Sequence, residues 1–448
     1  MKINITINSS DTEVVVKLKS KIMSRGINRR DFLTGSLAAA TVIGSQRLSN
    51  AWVLRRPHSR INKTTDSART LHNNDVLQHE QTNSLHSMRR GGIMKLSIAN
   101  NTNQYNNEDI YFGIIGEQSG KWGYVNPDGS WQAAPPESQK VNVPFFKLSD
   151  LGSIDLSPPI ISGRCWLSIG RPLTVPLWDS GFTGPAFNAE TDPNYGIVFD
   201  KFEFTYTPDG AIYCNTTSVD FFGLPITATL TGNENQSVGM SASRSEIFKA
   251  FQETPPFDSL IRTVDNTQLR ILAPQKDATF PQNYFDPYID RCWQKYQSQS
   301  LRLQPLPYDG ATYISEGSVD RNNVFNFVTT PGNTTHAIPK PTSNDVFGCD
   351  GVFNPTGSDL YRIIDGDLKN QVSSALNRTI LHNSDSSTWC DSSQYYLNSI
   401  ANHYARILHE FAIDDKSYAF PYDDKCEQSS TIVDTSPREI LLTLTAFN

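Results

Sequence analysis

The sequence has no run of about 18 apolar residues, which excludes a membrane-spanning helix in the mature chain. Charged residues are scarce, at 19% of the 448, too few for a coiled coil or a disordered polyampholyte. There is no CxxC pair, no phosphate loop and no dinucleotide fingerprint, so no cofactor is expected. His409-Glu410 has no second His at position 413, which excludes a zinc-protease helix. Gly239-Met240-Ser241-Ala242-Ser243 lacks the closing Gly of a nucleophile elbow. Four of the eight His (His58, His72, His79, His86) lie irregularly spaced in a polar stretch without Cys or a carboxylate cluster, so no metal site is expected either.

What the chain does have is 23 Phe, 17 Tyr, 27 Gly and 26 Pro, the mixture of aromatics and turn-formers typical of β-rich exported proteins. Its length leaves room for two to three domains. Charge is unevenly spread. Residues 1–93 hold 15 of the 39 Lys+Arg but only 6 of the 46 Asp+Glu, which leaves 24 against 40, or −16, for residues 94–448. A body that acidic repels phosphate backbones, so a neutral polymer is a better partner than nucleic acid.

The N-terminus reads as an address. Asn28-Arg29-Arg30-Asp31-Phe32-Leu33 precedes the apolar, small-residue run Leu37–Gly44, and Ser49-Asn50-Ala51 offers a cleavage site. Residues 1–51 are therefore expected to be a twin-arginine signal, with Met1 or Met23 as the start and export to the periplasm or medium. Residues 52–93 are polar, without apolar periodicity, and read as a linker. All six Cys lie beyond it, and an even count in an exported chain predicts disulfides of unspecified connectivity.

From Met94 to about Gly232, short strands alternate with turns: Lys95–Ala99, Asp109–Gly116, Trp122–Val125, then the turn Asn126-Pro127-Asp128-Gly129. After about residue 240 the period becomes helical. Helices are predicted from Asp286-Pro287 through Tyr296, from Leu360 to Leu376 and from Tyr396 to Phe411, before a last strand, Glu439–Thr445. The expected fold is mainly β, a β-sandwich or barrel over 94–232 completed by 418–448, with a mixed α/β insertion over 233–417.

One hairpin concentrates the acid chemistry. Phe202, Phe204 and Tyr206 alternate with Lys201, Glu203, Thr205 and Thr207, which puts Glu203 on the polar face of a well-specified strand. Thr207-Pro208-Asp209-Gly210 turns the chain, and a return strand is predicted over Asn215–Asp220. A tight turn would set position 203 opposite 214 and leave Asp220 about 20 Å further along the ladder. A wider loop, a bulge or a bend before Gly223 is needed to bring the two acids together.

Glu203-Phe204-Thr205, Ser218-Val219-Asp220-Phe221 and Gly223-Leu224-Pro225 resemble the acidic hairpin of thaumatin-like proteins. Ile98–Thr102, Ser162-Gly163-Arg164, Tyr284–Ile289, Asp345–Cys349 and Tyr418–Asp424 extend the likeness over residues 94–448 to glycoside hydrolase family 64, the laminaripentaose-producing β-1,3-glucanases. The resemblance implies a crescent of a thaumatin-like β domain and an α/β domain with a wide acidic groove for linear β-1,3-glucan. It implies a monomeric endo-acting hydrolase without cofactor. Glu203 would be the general acid and Asp220 the general base of an inverting mechanism, needing a gap of about 6.5–9.5 Å between carboxyls. Asp192, Thr205, Tyr213, Asn215, Asp423 and Asp424 are the candidates for sugar contact. Asn215 stands where plant thaumatin-like sequences have Asp, and Tyr213 where the family has Trp. A thaumatin-like module that grips glucan without cutting it is the alternative.

Overall fold

The computed structural model describes residues 92–448. The predicted export signal (1–51) and all but the last two residues of the predicted linker (52–93) lie outside the described residues.

The alternating segments seen in the sequence build two facing sheets. One has five strands in the order Gln236–Gly239, Ile226–Thr231, Glu439–Leu444, Met94–Asn100 and Ile154–Leu156. The C-terminal strand runs parallel to the first, Leu442 beside Ile98, so the two ends of the described chain close the same sheet. The other sheet has eight strands, and from its edge it runs Thr431–Asp434, Ile212–Thr216, Phe199–Tyr206, Ile160–Ile169, Ile110–Gln118. Leu96, Ile440 and Leu442 from the first sheet meet Phe112, Phe202, Phe204 and Tyr206 from the second in one apolar layer. The alternation of Phe202, Phe204 and Tyr206 with Lys201, Glu203 and Thr205 commits the even positions to that layer and the odd positions to the opposite face, where Phe199 joins a separate apolar cluster.

A second core lies around the helices. Ile289, Cys292, Trp293 and Tyr296 of the Asp286–Tyr296 helix meet Leu368, Val372 and Leu376 of the Asp359–Asn377 helix. The sequence placed both helices within a residue or two. It did not reveal the three-stranded meander Ala311–Val319, Val324–Thr330, Thr334–Pro339 that packs against them. Nor did it reveal the Arg244–Gln252 helix, although Ser243 and Glu246 form a capping box at its start. The predicted helix from Tyr396 shrinks to His403–Glu410. Tyr396 has φ of 58° and its N–H donates to the Arg378 carbonyl, so its apolar spacing reflects burial in a loop rather than a helical turn.

Among the described residues one disulfide forms, Cys390–Cys426. Cys165, Cys214 and Cys292 remain buried thiols, pushed up in pKa by desolvation, and serve as small apolar side chains. Cys349 donates from Sγ to the Pro421 carbonyl at 3.0 Å. The bridge closes a loop of sequence separation 36 that includes the Tyr418–Asp424 segment. Replacing Cys390 and Cys426 by Ser is expected to cost about 4 kcal/mol in urea unfolding, by loop entropy regained in the unfolded chain. A loss below about 0.5 kcal/mol would contradict this unfolded-state account of the bridge.

Candidate active site

Glu203 sits in mid-strand, with Arg164 as its register partner on one side and Asn215 on the other. The Arg164 Nε donates to Glu203 Oε1 at 3.2 Å, and its guanidinium lies 4.8 Å over the Phe182 ring. Arg164 is thus fixed between an aromatic face and the carboxylate it holds.

The hairpin register differs from the tight-turn expectation. Gly210 N–H donates to the Thr207 carbonyl at 2.9 Å, but Thr207 N–H donates one residue further on, to the Ala211 carbonyl at 2.8 Å, while the Thr207 hydroxyl oxygen accepts from Ala211 N–H. That one extra residue puts Glu203 opposite 215 rather than 214. The return strand then stops at Thr216, so Asn215–Asp220 is not a continuous strand.

Asp220 reaches Glu203 because the chain bends back. Asp200, one residue before Lys201 and on the core-facing side, accepts from Gly223 N–H at 2.7 Å and Leu224 N–H at 3.0 Å. Arg244 donates to the Gly223 carbonyl at 2.8 Å, so both sides of that residue are pinned. A Cβ at Gly223 would stand 2.1 Å from the Phe199 carbonyl, and this contact is why the bend needs glycine. Ser218 N–H donates to the Tyr418 carbonyl at 2.9 Å, which ties the same loop to the Tyr418–Asp424 segment.

The outcome is a compact charge cluster. Lys201 Nζ lies 3.1 Å from Asp220 Oδ2 and 4.0 Å from Glu203 Oε1, and Lys276 Nζ lies 3.3 Å from Asp220 Oδ1. The two legs that meet at Lys201 hold the Glu203 and Asp220 oxygens within about 7.1 Å of each other. The naive ladder distance of about 20 Å is removed by the bend, not by a strand bulge. The wall around Glu203 is cationic rather than apolar, a feature the spacing did not reveal. Arg164, Lys201 and Lys276 are all present in the sequence, and Arg164 lies in the Ser162-Gly163-Arg164 segment, but their convergence depends on the register.

The remaining sequence candidates divide. Tyr213 and Asn215 lie on the Glu203 face of the neighbouring strand, and Asn215 Nδ2 is buried without a hydrogen-bond partner. Asp424 is exposed by area yet crowded by protein atoms, and it is raised in pKa first by desolvation and then by Asp423, with Lys425 opposing. Asp423 is not at a surface. It is fully buried, accepts from Arg378 at 3.0 Å, pairs with His409 Nε2 at 2.9 Å and accepts from Ala419 N–H, so it braces the segment instead of meeting sugar. Asp192 closes its own turn by accepting from Ala186 and Asn194 N–H groups. Thr205 is buried, and its hydroxyl oxygen accepts from Ser162 N–H, which removes it from the candidate sugar contacts. A residue the sequence analysis overlooked is Tyr418. Burial raises its hydroxyl well above the ordinary value, and the carboxylates of Asp424, Asp423 and Glu203 push it further.

Asp200 carries a pH signature. Burial raises its carboxyl to about 6, against the three backbone N–H groups and the Lys201 charge that favour the anion. The folded pKa therefore exceeds the unfolded one, and this group's contribution to stability falls as pH rises from about 4 to 6, by about 3 kcal/mol. The stability gap between wild type and Asp200→Asn, measured by urea unfolding, is expected to shrink by that amount between pH 4 and pH 7. A gap that does not vary with pH would contradict it.

These features define a sandwich protein that gathers an acid pair and its cations on the outer face of one sheet. The chain belongs to glycoside hydrolase family 64, whose family model, described as beta-1,3-glucanase, matches residues 92–444. Glucan endo-1,3-beta-glucosidases of Arthrobacter sp. (strain YCWD3) and Cellulosimicrobium cellulans are each 25% identical over 359 residues. The matches cover 77% of this chain and 64% of each relative, so the chain spans less than two thirds of their length. A crystal structure of a beta-1,3-glucanase domain from Clostridium beijerinckii superposes with a TM-score of 0.67 at 28% identity, over 79% of this chain and 98% of that one. That of a laminaripentaose-producing beta-1,3-glucanase in complex with laminaritetraose gives 0.69 at 26% identity, over 80% and 99%.

Proposed function

We propose that the chain is an exported, endo-acting β-1,3-glucanase that cuts linear β-1,3-glucan into short oligosaccharides by inversion. In this reading the fold is a thaumatin-like sandwich beside an α/β domain, and the acidic groove between them takes the polysaccharide. The observation that carries it is the acid pair itself, Glu203 and Asp220 within about 7.1 Å across a shared ammonium. That upper limit reaches the lower end of the range of about 6.5–9.5 Å for inverting pairs and also spans the spacing of about 5–5.5 Å of retaining pairs, so inversion is the part of the proposal that the anomer released must decide. Glu203 donates a proton to the departing glycosidic oxygen. Asp220, with one oxygen on Lys201 and the other on Lys276, accepts the proton of the attacking water. Tyr213, Asn215 and Asp424 are the groups proposed to meet sugar rings and hydroxyls. Export follows the twin-arginine route, and the mature protein works as a monomer.

A second reading, a glucan-binding protein without activity, draws on the guanidinium held 3.2 Å from Glu203, which already engages that carboxylate in an ion pair. Incubation of the purified protein with laminarin or curdlan separates the two. Discrete short oligosaccharides support the enzyme, whereas retention on insoluble glucan without release of products supports the binder.

A further inference from the structure

Three cations serve two carboxylates in this site, and they are not equivalent. Arg164 reaches Glu203, and Lys276 reaches Asp220. Among the ion pairs of the described residues, Lys201 is the cation that contacts both acids. Its place is dictated by the strand. Residues 201 and 203 project from the same face two positions apart, so the lysine stem runs beside the glutamate. The next residue back, Asp200, projects to the opposite face and holds the amides of Gly223 and Leu224. One dipeptide therefore grips the Asp220 loop twice, by the backbone beyond Asp220 and by the Asp220 carboxylate.

We propose that Lys201 is the positioning residue of the acid pair, its ammonium setting the distance between Glu203 and Asp220 and balancing their charges. The proposal deepens the glucanase reading and rests on its assignment of the two acids. Without the ammonium, two carboxylates on one face repel, and Asp220 keeps only its Lys276 contact among the ion pairs above. The groups that face Lys201 are few. Its own strand supplies Asp200 and Glu203, and the adjacent strand supplies Trp166 as register partner and Arg164 beyond it. The bend supplies Asp220 and the Phe221 ring, 5.8 Å from the ammonium, and the turn at Pro274–Lys276 supplies Lys276. The Lys201 side chain is 14% exposed. Its stem is thus buried while the charge stays at the acids, and Met can replace the stem without replacing the charge.

The test uses the full chain with Lys201→Met and Lys201→Arg, assayed on laminarin as a function of pH. Lys201→Met is expected to lower kcat by at least about tenfold, to leave KM within about threefold, and to move the pH optimum upward, because both acids lose a cation that favours ionisation. Lys201→Arg is expected to restore most of kcat and the original optimum. A structural role alone would lower the melting temperature of Lys201→Met and leave the pH optimum of the folded fraction in place, which would overturn the proposal. So would unchanged kcat and pH profile. A readout independent of turnover is the carboxyl titration of Glu203 and Asp220 by 13C NMR, assigned with Glu203→Gln and Asp220→Asn. The proposal expects both to titrate at higher pH in Lys201→Met, and identical titrations would refute it. This readout judges Lys201 even if Glu203→Gln and Asp220→Asn prove fully active, an outcome that would remove the glucanase mechanism.

Discussion

Asp220→Asn and Glu203→Gln, purified and folded, are each expected to release reducing sugar from laminarin at least about 100-fold more slowly than wild type. Both substitutions keep the size of the side chain and remove the ability to exchange a proton. Asp220 has an ammonium on each oxygen, at 3.1 and 3.3 Å, so Asn brings NH₂ against at least one cation and loses a base at the same time. Glu203 is held by Arg164 at 3.2 Å, and Gln in its place can still accept that bond through its carbonyl. Glu203→Gln should therefore keep the wild-type melting temperature within a few degrees, and Asp220→Asn should lower it through the two ammonium groups left without their counter-charge, while both lose turnover in the folded protein. Substantial activity in either would remove that residue from the mechanism.

The second large effect is on stability. Asp423→Ala is expected to cost about 3–5 kcal/mol in urea unfolding, because it leaves the Arg378 guanidinium buried without its counter-charge. It also orphans the Ala419 N–H and breaks the pair with His409. His409 is raised in pKa by Asp423 despite burial, so part of this network's contribution is present at low pH and fades as pH rises through the histidine's folded value. The neighbouring Asp424→Asn, at an exposed position, should change stability by less than about 1 kcal/mol. Were Asp423→Ala to unfold like wild type yet bind glucan poorly, the buried-brace role would be wrong and a sugar contact would be restored.

The strand that carries Glu203 was legible in the sequence because Phe202, Phe204 and Tyr206 enter the core on every second residue, and burial enforces that alternation. The Asp286 and Asp359 helices and the closing strand were legible for the same reason, each having one clear apolar period. The acid pair was legible as residue types but not as a geometry. Its closeness depends on a fifth residue in the Thr207–Ala211 loop and on Asp200 gripping amides 23 and 24 residues away, neither of which leaves a local pattern. Asp423 was misread as a groove residue because a turn-forming Asp and a buried counter-ion look alike until Arg378 and His409 are brought beside it. The Tyr396 loop imitated a helix because its apolar spacing serves the same core from a non-helical backbone.

The most direct test of the account is the anomeric form of the first sugar released. With a soluble laminari-oligosaccharide and the wild-type protein, 1H NMR in the first minutes should show the α-anomer appearing ahead of mutarotation. Such inversion is the outcome of one water, activated by Asp220, attacking the anomeric carbon on the face opposite the bond that Glu203 protonates. A β-anomer formed first, or no cleavage at all, would contradict the proposed mechanism.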